Sequence, residues 1–256
     1  MILVLSGEGA TDLGACTNGH GRCDGTEFAV GPITVLIDQM LEQKLGYSVL
    51  DFPACLNFFD ESYLCRKAKE LPARMQPARS KKKEAETGYF FGNAVALGTL
   101  AQEIEQSTED KAVVAILLRD YDSTRSANAH LWQTKHKSME DGFRYARFDR
   151  GVPMLPKPTS EAWLLCQAQE NPYQNCSRLE DLPGNQSSPN HPKKELDKAF
   201  GSHKNAAELC DWLRENPIDL DRASSMPSFR YFRERLNTVL DQVVTQISNQ
   251  TDREPA

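Results

Sequence analysis

Apolar residues fall along this chain in two rhythms. Ile2-Leu3-Val4-Leu5 and the run Ala112 to Leu118 are short and unbroken, as expected of strands covered on both faces. Elsewhere the apolar positions recur at helical spacing. Ile33, Leu36, Ile37, Met40 and Leu41 follow Gly31-Pro32 and stop at Gly46, with proline suited to the first helical position and glycine to the exit. Tyr47 to Phe52 reads as a second strand. Phe90, Ala94, Leu97, Ala101 and Ile104 form the next stripe, ending near Ser107. Residues 126–142 are polar and read as helical or irregular. Val152-Pro153-Met154-Leu155 is a short fourth strand, which Pro153 places at an edge or a bulge. A polar loop over 169–191 precedes helices at about 192–200, 205–215 and from Pro227. The last carries Phe229, Phe232, Leu236, Val239, Leu240, Val243, Val244 and Ile247 on one face, and its end from Asn249 is expected to fray. Strand, loop, helix and strand in alternation predict an α/β fold with a mostly parallel sheet flanked by helices. Residues 1–170 read as its core and 171–256 as a helical extension packed on that core.

Acids stand where the strands end. Ser6-Gly7-Glu8-Gly9-Ala10-Thr11-Asp12 follows the first run, and Arg119-Asp120-Tyr121-Asp122 follows the central one. Residues two apart in an extended segment point the same way, so Asp120 and Asp122 can face one cation. Two hard carboxylates suit Mg²⁺ or Mn²⁺. Taken singly, each feature has a plainer reading: Asp-x-Asp closes turns, and Glu161 in the first turn of a helix capped by Thr159 or Ser160 is favoured by the helix dipole. Together, three strand ends aim carboxylates at one sheet edge, where α/β proteins place their chemistry.

The net charge of −6 argues against a protein that coats nucleic acid by electrostatics alone. It leaves room for an enzyme whose metal ions supply the positive charge. One basic interval exists: Arg66, Lys67, Lys69, Arg74, Arg79, Lys81, Lys82 and Lys83 are opposed only by Glu70. It is either a solvated face or a contact for phosphate backbone. Lys193 and Lys194 begin a helix and can approach the acids. Seven irregularly spaced cysteines and an N-terminal run that turns acidic at once, unlike a signal peptide, predict reduced thiols in the cytoplasm. Cys16, His20 and Cys23 have a spacing that could hold zinc, but no fourth ligand is evident. No run of about 18 apolar residues is present, so no membrane span is expected.

Glu-Gly-x-Thr-Asp after the first strand, Asp-x-Asp after a central strand and the later Pro156-Lys157-Pro158-Thr159-Ser160-Glu161-Ala162-Trp163-Leu164-Leu165 resemble a Toprim domain. That is the α/β catalytic domain of topoisomerases, primases and nucleases of the overcoming-lysogenization-defect type, including stand-alone Toprim-like proteins of bacterial anti-phage defence loci. The resemblance covers about residues 1–170. It implies Glu8 as a metal ligand or general acid/base, and Asp12, Asp120, Asp122 and Glu161 as ligands of Mg²⁺ or Mn²⁺. It also implies Lys157 as a phosphate contact, a nucleic-acid substrate (DNA or RNA) and an ATPase partner. Two departures are the cysteine-containing loop after Asp12 and Arg119 directly before the acid pair. Asp120-Tyr-Asp122-Ser-Thr124 also resembles the Asp-x-Asp-x-Thr of haloacid-dehalogenase-type phosphatases, with Asp120 as nucleophile and Asp122 as acid/base. That family carries the motif on its first strand, however. A third reading is a non-catalytic subunit of a defence complex whose acids merely cap a sheet.

Overall fold

The computed structural model describes residues 1–9, 11–71, 82–108, 112–121 and 129–251. Asp122 and residues 72–81 of the basic interval lie outside them. The two unbroken apolar runs become β1 (Ile2–Gly7) and β6 (Val113–Leu118), buried throughout. They pair in parallel, with Ser6 beside Leu117. The full sheet has the order β3-β5-β1-β6-β7, where β3 is Arg22–Asp24, β5 Leu56–Asp60 and β7 Gly151–Met154. All neighbours run parallel except β3, which lies antiparallel to β5. A small antiparallel pair, β2 (Gly14–Cys16) and β4 (Phe28–Val30), stands beside it.

Alternation along the strands divides the core in two. Leu3, Leu5, Val114, Ile116, Leu118, Val152 and Met154 face one side, packed with α1 (Pro32–Leu45), α5 (Ser160–Ala168), α7 (Ala206–Glu215) and α9 (Pro227–Thr251). Ile2, Val4, Val113, Ala115 and Leu117 face the other, under α2 (Glu61–Glu70), α3 (Lys82–Ser107) and α4 (Ala129–Tyr145). α6 (Pro192–Phe200) and the short α8 (Leu220–Ala223) complete the helices described. Pro153 sits in β7, the terminal strand of the sheet, where a missing N–H goes unfelt.

Three expectations are corrected. Tyr47–Phe52 is not a strand: Val49–Asp51 and Pro53–Cys55 form 3-10 turns and the strand begins at Leu56. Leu56 and Phe58 are buried, while Phe52 is 52% exposed and Pro53 after it opens the second turn. Nor are all cysteines reduced. Cys16 is bonded to Cys23 and Cys166 to Cys176, leaving Cys55, Cys65 and Cys210 as thiols. The fold brings the paired Cα atoms to 5.7 and 5.2 Å, within the range a disulfide spans. The Cys16 and Cys23 sulfurs are therefore spent on each other and not offered to zinc. α9 also stays helical through Thr251, past the point where fraying was expected. No described helix is long and apolar enough to cross a membrane.

Candidate functional site

Because β1 and β6 are parallel neighbours, their C-terminal ends deliver Glu8 and Asp120 side by side. The Asp120 backbone N–H donates to Glu8 Oε1 at 2.5 Å, tying the two strand ends together. Asp120 in turn accepts the Ser160 backbone N–H on Oδ1 at 3.0 Å. That bond satisfies an orphan donor at the start of α5. A carboxylate from β6 thus does what the residue at the N-cap position, Thr159, leaves undone, since its own side chain makes no cap bond. The same helix start carries Glu161.

Asp12 reaches the same place from the turn after β1. Its loop is seated on the beginning of α1: the Asp12 carbonyl accepts Ile33 N–H at 3.0 Å, and the Leu13 carbonyl accepts Gly31 N–H at 2.8 Å and the Thr34 hydroxyl at 2.6 Å. Burial pushes the Asp12 carboxyl up to about 7, and the negative charges of Glu161 and Glu8 push the same way. The Ser160 side chain and Lys193 oppose them without prevailing. Glu8, Asp12, Asp120 and Glu161 line one cavity of about 560 Å³.

The rest of the lining mixes charges and polar groups. It includes Lys193, Lys194 and Asp197 from α6, His191 just before it, Thr11, Thr159 and Gln186. Lys194 Nζ is engaged by the Ser188 carbonyl at 2.9 Å. Next to this cavity is a smaller one of about 150 Å³, walled by Ile33, Leu164, Leu196, Phe200 and Leu209, which shares Asp12, Glu161 and Lys193.

Of the residues singled out by sequence, Glu8, Asp12, Asp120 and Glu161 therefore meet on one cavity, and Asp122 lies outside the described residues. Lys157 points elsewhere, its amine 3.9 Å from Asp181, and does not line the cavity. Arg119 also turns away. Its side chain is fully buried, with the guanidinium over the Tyr89 ring at 5.7 Å and Nη1 donating to the Leu118 carbonyl. From the basic interval, Lys67 pairs with Glu70 and Arg66 lies over the Tyr63 ring.

The donor set fits a hard divalent cation. Five carboxylates, Asp197 among them, line one cavity; Asp12 retains its proton to near neutrality chiefly through burial and then through the charges of Glu161 and Glu8, and a cation relieves that repulsion. Among the described residues no three Asp, Glu, His or Cys side chains stand together at ligand distance. Sequence reasoning passed over His191 as a functional residue and took Thr159 only for a cap. A single histidine before a helix-opening proline gives no local signal of its surroundings. Comparison with known proteins finds no matching family model, no matching curated protein and no matching solved structure.

Proposed function

We propose that this chain is a metal-dependent endonuclease that hydrolyses phosphodiester bonds of nucleic acid. One observation carries the reading: Glu8, Asp12, Asp120 and Glu161, drawn from the ends of β1 and β6 and the start of α5, line a single cavity together with Lys193. Mg²⁺ or Mn²⁺ would be held by these carboxylates, joined by Asp122, and would supply an activated water and charge neutralisation at the phosphate. Glu8 keeps the two strand ends in register through the Asp120 N–H, and Ser160 N–H orients Asp120. Asp12 titrates near neutrality and is the group able to take up or release a proton at working pH. Lys193 offers its charge to the substrate phosphate. The resemblance to Toprim nucleases adds a role as an anti-phage effector with an ATPase partner. A phosphatase using Asp120 as nucleophile has less support, because Asp120 is held by Ser160 N–H and Glu8, Asp12 and Glu161 would then have no task.

The test is cleavage of single-stranded and duplex nucleic acid by the purified chain with Mn²⁺ and with chelator. Activity is expected only with metal, and Asp120→Asn, Asp122→Ala and Glu161→Gln should each abolish it while thermal melts stay within a few degrees of wild type. Undiminished cleavage by Asp120→Asn and Asp122→Ala would sink the reading.

A further inference from the structure

We propose that Thr159, His191 and Lys193 form an anion clasp that holds a substrate phosphate in the cavity that the carboxylates line. The proposal rests on the nuclease reading of the same cavity and names the residues there that would hold the substrate. Thr159 is 3% exposed, and its hydroxyl has no hydrogen-bond partner among the described residues. It is released because Asp120 accepts the Ser160 N–H at that helix start. His191 is 4% exposed. Its Nδ1 accepts the Lys193 backbone N–H at 3.2 Å, so the neutral ring carries its proton on Nε2. That Nε2 likewise has no partner among the described residues.

A buried donor without an acceptor is destabilising. Here the two residues that carry them both line one cavity, each more than nine-tenths buried. The group that satisfies both is rich in acceptors and lacks donors, as a phosphate is. Its charge is met by Lys193, which is exposed and makes no ion pair among the described residues. The starts of α5 and α6, each nine residues long, add the positive ends of two helices. Lys194 is not a member, since its amine is spent on the Ser188 carbonyl. A phosphate held by these three groups lies in the same cavity as Glu8, Asp12, Asp120 and Glu161, where cations on those carboxylates would share it with the clasp.

The test uses the full chain in chelator, with inorganic phosphate as the probe and the imidazole ¹⁵N resonances as the readout. Saturable perturbation of the His191 resonances is expected. His191→Asn keeps a residue that caps α6 well but withdraws the Nε2 donor. It should weaken phosphate binding about tenfold, the loss expected for one hydrogen bond to a charged group. Thr159→Val should weaken it several-fold. Lys198→Ala, a charge removed from the far end of the same helix, should bind phosphate as wild type does. Phosphate that leaves His191 unperturbed, or that binds His191→Asn and Thr159→Val with wild-type affinity, overturns the clasp. Because neither metal nor cleavage enters this measurement, a clasp that binds phosphate in a chain that never cleaves would count against the nuclease reading alone.

Discussion

Asp12 shows how far one residue departs from its ordinary chemistry. Its carboxyl titrates at about 7 in the fold instead of 3.8, chiefly through burial and then through Glu161. The folded state therefore holds a proton that the unfolded chain releases from about pH 4 upward. Stability falls as pH rises through that window and stays reduced above about 7. Asp12→Asn removes the penalty. At pH 8 the variant should be more stable than wild type by on the order of 2 kcal/mol, and denaturant melts of the two should coincide below pH 4. Millimolar Mn²⁺ should narrow the gap by stabilising wild type. A variant less stable than wild type at pH 8 would show that Asp12 is paired with a cation in the protein itself.

At the scale of the element, the site depends on how the Asp12 loop meets α1. Gly31 has an ordinary backbone conformation, yet a Cβ there would come within 2.3 Å of the Asp12 carbonyl and 2.6 Å of Gly14 N. Both are backbone atoms and neither can swing aside. Gly31→Ala should destabilise by about 1–3 kcal/mol, the range for forced overpacking, and should also weaken Mn²⁺ binding because the loop carries Asp12. Calorimetry and a thermal melt on the same sample check both. An unchanged melt would mean the loop shifts freely. α5 is anchored in its first turn by Trp163, whose Nε1 donates to Ser228 Oγ at 2.9 Å while its ring packs edge-on against Phe229. Trp163→Ala should cost about 3–5 kcal/mol, read by chemical denaturation, and the start of α5 should lose protection from hydrogen exchange. Protection as in wild type would separate the helix start from its anchor.

Across the whole molecule, the C-terminal helices share a core with the sheet. Phe229, Phe232, Leu236, Val239, Leu240 and Val243 of α9 are buried in the same cluster as Leu3, Leu5, Val114 and Ile116. A chain cut after residue 170 would expose that side of the sheet and its helices and lose the α6 wall of the cavity. It should bind a hydrophobic dye and melt without cooperativity, as loosely packed states do. A sharp melt from the fragment would establish that residues 1–170 fold alone.

The sequence by itself determined the elements whose signals are local. Unbroken apolar runs marked β1 and β6, 3.6-residue spacing with Pro32 and Gly46 marked α1, and Pro153 marked the edge strand, since each signal lies within a few residues of what it describes. It also pointed to Glu8, Asp120 and Glu161, because acids after strands of a parallel sheet are carried to one edge by topology, while Asp12 came only with the family resemblance. Only the tertiary structure decided what depends on distant partners. In place of the expected Tyr47–Phe52 it made Leu56–Asp60 the strand, because the position beside β1, some fifty residues away, goes to the segment whose Leu56 and Phe58 can be buried, while Tyr47 and Phe52 stay exposed. It joined Cys166 to Cys176 by bringing α5 and the following loop within bridging distance. And it made Thr159 and His191 into buried donors without partners. Burial is a property of what packs around a side chain, and no spacing along the chain encodes it.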